Sequence, residues 1–274
     1  MGRVQQLVVG SVHCLVVDDG DLAVPPEVIF PREHRERWPR FETDAEGRIV
    51  LSVNCLVVWS GGQTILVDAG NGTRPSARFP GGGQLAQQLA AEGIEPDVVV
   101  LTHPHSDHVG GTTFLKDGQL APTFPRARHL LASADWHWAT VERQPIAPHV
   151  EQTLIPMHEW RLLDLVEPDL TITDEVTIVS APGHTPGNAV VRVHSGAETL
   201  FFVGDLIHHT AEIYDPELIA DGDALPHLVP GARRRVFDQI LAEDALVTAS
   251  HLPFPGLGKL VSGNGNLTFH ALDG

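Results

Sequence analysis

Six residues, His103-Pro104-His105-Ser106-Asp107-His108, put three imidazoles and a carboxylate on one short stretch. Imidazole nitrogen and carboxylate oxygen are the donors a zinc-like divalent cation prefers. One or two histidines commonly decorate a surface loop. Four ligand-type groups this close together read instead as part of a metal site. Three more residues of the same kind lie downstream: His184, Asp205 and His251.

Each of these groups follows an apolar run. Residues 98–102 precede the histidine cluster, and residues 176–181 lead through Pro182-Gly183 to His184. Residues 200–204 lead to Asp205, and residues 246–250 to His251. Such uninterrupted runs read as buried strands rather than amphipathic ones. Four strand ends, each delivering a metal-type residue, can converge at one edge of a sheet system.

The rest of the chain is read from the same signals. Residues 7–9 and 12–17 form an expected hairpin about Gly10-Ser11, and residues 49–59 and 63–68 another about Gly61-Gly62. Between them, residues 18–46 carry Pro25, Pro26, Pro31 and Pro39 and read as an irregular insertion. Long segments of this kind often form lids or subunit contacts, so a homodimer through this N-terminal segment is the expected assembly. Leu85, Ala86, Leu89 and Ala90 recur at helical spacing and stop at Gly93. Residues 127–132 read as a strand, and Ser133 as the cap of a helix carrying Trp136, His137 and Trp138. Residues 145–158 read as loop, residues 189–193 and 200–203 as a hairpin, and residues 232–243 as a helix. Residues 206–230 show no clear period. Trp38, Trp136, Trp138 and Phe254 are the aromatic side chains expected to wall a small-molecule pocket.

Composition narrows the partners. The 274 residues are 42% hydrophobic, enough for a sizeable core, with no linker, repeat or low-complexity tract, so a single domain over 1–274 fits best. Acidic residues outnumber basic ones 35 to 18, giving a net charge of −17. Nucleic-acid binding needs a basic footprint that releases counterions. The one basic run, Arg233-Arg234-Arg235, reads as a solvated helix face, so no nucleic-acid partner is expected. Cys14 and Cys55 sit inside apolar runs and read as buried hydrophobes. The first residues lack a signal-peptide pattern, and the interrupted run 7–17 is too short to span a bilayer. A soluble, cytoplasmic protein without membrane contact is expected.

The His-x-His-x-Asp-His run, Gly183-His184-Thr185-Pro186-Gly187, Gly204-Asp205 and His251, in this order across essentially the whole chain, resemble the metallo-β-lactamase superfamily. The resemblance implies an α/β fold, a four-layered αββα sandwich holding metal at one edge. It implies two divalent ions, zinc foremost. His103, His105 and His184 match the ligands of the first, and Asp107, His108 and His251 those of the second. Asp205 matches the carboxylate bridging both. Asp68, at the end of Ile65-Leu66-Val67, matches the aspartate that steadies the histidine loop, and it also fits a simple turn before Ala69-Gly70.

Within the superfamily, three features are most similar to the branch of quorum-quenching lactonases and methyl parathion hydrolase-like enzymes. They are the Pro/Arg-rich N-terminal segment, Gly204-Asp205-Leu206-Ile207-His208-His209, and the run from His251 to Gly258. Diiron flavoproteins carry a glutamate where this chain has His105. Glyoxalase II enzymes add a helical C-terminal domain for which the 23 residues after His251 are too few. The acidity speaks against the nuclease branch. Many lactonases place a tyrosine three residues after the bridging aspartate, where this chain has His208. His208 is expected either to supply the same hydrogen bond to the reacting oxygen or to be a surface histidine.

The implied reaction is hydrolysis of a lactone or ester, N-acyl homoserine lactone-like or aryl, by a hydroxide that the metals generate. Asp107 would carry the proton to the leaving alkoxide. Phosphotriester or β-lactam hydrolysis is the alternative within the fold. A catalytically weak metal-binding or ligand-sensing protein is the alternative outside enzymes, and the complete ligand set argues against it.

Overall fold

Turn residues cut the chain into hairpins and crossovers. The computed structural model describes residues 3–30, 43–74, 79, 81–263 and 266–272. Strands β1 (Val4–Val9) and β2 (Val12–Val24) pair antiparallel, as do β3 (Ile49–Ser60) and β4 (Gln63–Val67). Helix α1 (Leu85–Ala91) crosses over to β5 (Val98–Val100), which lies parallel to β4. Next come α2 (Ser106–Val109) and a small hairpin of β6 (Thr113–Lys116) and β7 (Gln119–Pro122). They are followed by β8 (Arg128–Ala132), α3 (Ser133–His137), α4 (Pro148–Gln152), α5 (Leu154–Glu159) and β9 (Leu163–Val166). The first sheet has the order β1-β2-β3-β4-β5-β8-β9.

The second half repeats the plan. It contains β10 (Leu170–Thr171), β11 (Val176–Ser180), β12 (Ala189–Ser195) and β13 (Glu198–Phe202). Then come α6 (Ala211–Tyr214), α7 (Val229–Ala242), β14 (Leu246–Thr248), β15 (Leu257–Gly263) and β16 (Asn266–Ala271). Its seven strands lie side by side in chain order.

Val16, Leu56 and Val67 of the first sheet pack against Val191, Leu200 and Phe202 of the second. The outer face of the first sheet, with Leu66, Val99 and Leu131, lies on Leu85 and Leu89 of α1 and Leu154 of α5. Phe201 and Val247 of the second sheet lie on Val236, Phe237 and Ile240 of α7. The result is the four-layered αββα sandwich. Its central strands are buried on both faces, which is why they read as continuous apolar runs rather than alternating ones. Cys14 and Cys55 are buried free thiols within these layers, and burial pushes the Cys14 pKa up to about 12. Among the described residues, no helix is long and apolar enough to cross a membrane.

Strand direction creates the site. β13 and β14 are parallel, and β11 runs the same way because two antiparallel pairings separate it from β13. The C-terminal ends of all three therefore share one edge of the second sheet. β4 and β5 are parallel, so their ends share one edge of the first.

Several local expectations are corrected. Residues 18–24, expected to open the irregular insertion, instead continue β2 to Val24 by a bulge, where its register against β3 shifts between Asp18 and Asp21. Partners make this tolerable. Asp18 accepts from Arg3 Nε at 2.9 Å, and Asp19 accepts from the backbone N–H groups of Leu85 and Asn71, each at 2.7 Å. Residues 31–42, including Trp38, lie outside the described residues. Residues 148–159 form two short helices rather than loop; Pro148 opens α4, where its missing N–H costs nothing. Ser133 is the first residue of α3 rather than its cap, and its hydroxyl donates to the Val166 carbonyl at 3.3 Å.

Candidate metal centre

All seven ligand-type residues singled out in the sequence come together. His103, His105, His184 and Asp205 place ligand atoms within 4.8 Å of one another, and Asp107, His108 and His251 form a second such group. Asp205 stands between them. Its Oδ2 lies 3.6 Å from His103 Nε2 and 3.4 Å from His184 Nε2. Its Oδ1 lies 3.1 Å from His108 Nε2 and 3.2 Å from His251 Nε2. Asp107 Oδ2 is 3.3 Å from His251 Nε2, and His105 Nδ1 faces His103 Nε2 at 3.1 Å and His184 Nε2 at 2.9 Å.

The outward-facing ring nitrogens decide which lone pairs are left. His108 Nδ1–H donates to Asp68 Oδ2 at 2.7 Å, His184 Nδ1–H to Asp223 Oδ1 at 2.8 Å, and His251 Nδ1–H to the Ser52 carbonyl at 2.8 Å. Thr102 Oγ1 donates to Asp68 Oδ2 at 2.9 Å, so it accepts from His103 Nδ1 at 3.1 Å. Four imidazoles are thus held with Nε2 turned inward as an acceptor. In the neutral imidazoles these inward nitrogens face the Asp205 oxygens lone pair to lone pair. His108 Nε2 and Asp205 Oδ1 are both buried without a hydrogen-bond partner. A divalent cation is the partner such a donor set fits.

Without a cation, the carboxylates draw protons instead. Burial opposes charge on His108, yet Asp205, Asp68 and Asp107 hold its pKa well above the ordinary value. Burial is likewise outweighed at His251, which Asp205 and Asp107 hold at about 9. Burial would raise Asp107 and Asp205, but His108 and His251 keep both well below the usual carboxylate range. A metal must displace the histidine protons to reach Nε2. Because those pKa values are raised, the competing protons stay on at neutral pH and leave only as pH climbs. Metal affinity should therefore increase as pH rises from neutrality through about 9, where His251 loses its proton, and metal added near neutrality should acidify a weakly buffered solution. Affinity that stays flat across this range, measured by metal titration at several pH values, would contradict the assignment.

Sequence reasoning missed the residues that hold this cluster in place. Asp223 lies in a stretch without periodicity, so nothing marked it as the partner of His184. Asp135 of α3, its pKa raised to about 7 by burial, accepts from Thr185 Oγ1 at 2.9 Å and the Gly187 N–H at 2.7 Å, fixing the turn after His184. A Cβ on Gly187 would lie 2.6 Å from that of Ala132, so glycine is what lets this turn sit against α3.

Arg233 is a correction. It is not on a solvated face but wholly buried, with only Arg234 and Arg235 of the triplet exposed. It pairs with buried Glu212 at 2.5 Å and donates to the Leu206 carbonyl at 2.8 Å and to that of Leu218. Glu212 in turn accepts the backbone N–H groups of His208 at 2.5 Å and His209 at 2.9 Å. Burial would raise the Glu212 pKa, but Arg233 and His208 hold it at about 2. His208 is buried rather than on the surface. Its Nε2 lies 3.4 Å from Asp205 Oδ2, and its ring stacks on His251 with centroids 5.7 Å apart.

The aromatic residues separate. Trp138 lies 6.1 Å from the His105 ring, with the Arg143 guanidinium 5.3 Å over its own. Trp136 stacks on His158 at 4.5 Å within the helical layer, and Phe254 packs at the inter-sheet core with Arg3 at 4.9 Å. Phe30 lies edge-on to His209 at 5.4 Å.

An αββα sandwich with clustered histidines and aspartates at its converging strand ends defines a metal-binding class of fold. The chain belongs to the metallo-β-lactamase superfamily, which it matches over residues 48–251. It is similar to a hydroxyacylglutathione hydrolase of Cereibacter sphaeroides, 31% identical over 57% of this chain and 51% of that protein. It is also similar to a probable metallo-hydrolase of Mycobacterium bovis, 29% identical over 45% of this chain and 41% of that one. The chain thus spans about half or less of the length of these curated relatives. Among solved structures, it resembles the hydrolase AbOPH of the β-lactamase superfamily, with a TM-score of 0.84 and 24% identity over 100% of this chain and 99% of that one. It resembles AidC, a dizinc quorum-quenching lactonase, with a TM-score of 0.79 and 22% identity over 99% and 98%. At these identities the likeness shows the fold.

Proposed function

We propose that the protein is a dinuclear metal-dependent hydrolase of lactones or esters, with zinc as its metal. The observation that carries this reading is the split of the Asp205 carboxylate, one oxygen toward His103 and His184 and the other toward His108 and His251. In it, His103, His105 and His184 would hold one ion and Asp107, His108 and His251 the other, with Asp205 shared between the two groups. The likeness to a lactonase fold supports the substrate class. Bound there, the two ions would supply Lewis acidity and activate water near neutral pH.

The chain's own residues do the rest. Asp68 and Asp223 orient His108 and His184 through their Nδ1–H groups. Asp107 takes the proton lost by the attacking water and returns it to the leaving alkoxide. His208 donates from Nε2 to the oxygen that gains charge, with Glu212 setting its backbone. Trp138 forms one apolar wall. The acidic surface favours a neutral, partly apolar substrate over polyanions. A cytoplasmic location and a dimer through residues 18–46, in one domain over 1–274, complete the reading.

A panel of lactones, aryl esters, phosphotriesters and β-lactams, run on metal-replete protein, tests the substrate class. Lactones or aryl esters should turn over fastest. Faster phosphotriester or β-lactam cleavage would replace this reading with the other hydrolase chemistry, and no turnover at all would favour a binding protein. His208→Ala should lower kcat by roughly ten- to a hundredfold with KM nearly constant, because its hydrogen bond forms mainly in the transition state. Unchanged kinetics would return His208 to a packing role.

A further inference from the structure

Asp107 and His108 reach the site from the first sheet, while His251 reaches it from the second, after β14. Something must hold the two sheets in register at this edge. We propose that Asn54 is the positioning residue for His251, a clamp from β3 that sets the second metal group; this rests on the two-metal reading above.

Asn54 is buried at 1% exposure. Its Nδ2 donates to the Ala249 carbonyl at 3.0 Å and to the Leu252 carbonyl at 2.8 Å, and its backbone N–H to the Ser250 carbonyl at 2.9 Å. These three carbonyls bracket His251 on both sides. Ser52, on the same strand, completes the grip through its carbonyl on His251 Nδ1–H at 2.8 Å. The backbone bonds would survive any side-chain change, so the two amide protons of Asn54 are what its identity adds. The far side of the loop is shaped to admit them. Gly256 has φ of +62°, and a Cβ there would stand 3.0 Å from Nδ2.

The cost of this arrangement also points to positioning rather than stability. Asn54 Oδ1 is buried with no hydrogen-bond partner. A buried acceptor left unsatisfied is unfavourable, and a small apolar residue would avoid it. It would also release Ala249 and Leu252 and let the His251 loop drift. No change to Asn54 touches His103, His105 or His184, so the two metal groups should respond differently.

The test titrates metal-stripped protein with Co2+ and then Zn2+, following stoichiometry and the Co2+ absorption. Wild type should take up two ions in separable phases, and His251→Ala should identify the phase of its own group by weakening that one alone. Asn54→Asp, which keeps the shape but replaces the donor with an acceptor, should weaken the same phase by about ten- to a hundredfold, the usual loss when a ligand's supporting partner is removed. Asn54→Ser provides a milder second variant and should move the same phase in the same direction. In the His251→Ala background, either change should add nothing further. Equal weakening of both phases, no weakening, or an undiminished loss on top of His251→Ala would each overturn the proposal. Uptake of a single ion by wild type would instead overturn the two-metal reading, and the inference with it.

Discussion

Asp205→Ala should drop bound metal from about two ions per chain to one or fewer, and hydrolysis by at least about a thousandfold. The expectation follows from its two oxygens. Oδ2 faces His103 and His184 of one group and Oδ1 faces His108 and His251 of the other, at 3.1 to 3.6 Å, so one truncation takes a ligand from both groups. On the two-metal reading it also removes the negative charge that would offset two closely spaced cations. Catalysis then falls back toward ordinary water, whose pKa near 15.7 leaves almost no nucleophile at neutral pH, against about 7 when a metal activates it. Asp205→Asn, similar in shape but uncharged, should fall between the two. Elemental analysis of purified protein and kcat/KM on the best panel substrate are the measurements. A variant with full metal and full activity would remove Asp205 from the bridging role.

The second large effect is on stability. Arg233→Met should destabilise the fold by about 3–5 kcal/mol, the cost of leaving a buried charge without its partner. Glu212 and Arg233 are both fully buried, and Arg233 also caps the carbonyls of Leu206, Pro216 and Leu218. At this chain length the loss corresponds to a fall in Tm of roughly ten degrees. The segment carrying His208 loses its anchor too, so kcat should fall alongside. Replacing both partners, Arg233→Met with Glu212→Leu, should recover much of the stability because no uncompensated charge remains. It should not recover kcat, since the double variant removes the Glu212 carboxylate to which the His208 and His209 N–H groups donate. Thermal melts and steady-state kinetics on the single and double variants separate the two contributions. A single variant melting like wild type would show the ion pair to be dispensable.

The ligand cluster was legible because metal chemistry is local in type. His103, His105, Asp107 and His108 fall on one turn after a buried strand, and strand-to-ligand order repeats at His184, Asp205 and His251. Burial on both faces made those strands readable as continuous apolar runs. Errors arose where composition and environment disagree. Asp18 to Asp21 read as the start of an irregular insertion, but Arg3 and the backbone N–H groups of Leu85 and Asn71 supply partners that keep them in β2. Arg233 sits in a basic triplet, yet helical phase points it inward to a glutamate 21 residues earlier. No local pattern announces such a pairing.

By itself, then, the sequence determined the identity and order of the seven ligand-type residues, the strands that end in them and the sandwich they imply. These depend on residue type and on periods of a few residues. The tertiary structure decided which ring nitrogen of each histidine faces inward, through Asp68, Asp223, Thr102 and Ser52. It also decided that Trp138 rather than Trp136 or Phe254 stands beside the histidines, and that Asn54 reaches across to the loop of His251. Apart from Thr102, which neighbours His103 in the chain, these turn on contacts between residues tens to nearly two hundred positions apart, whose distances only the tertiary packing can set.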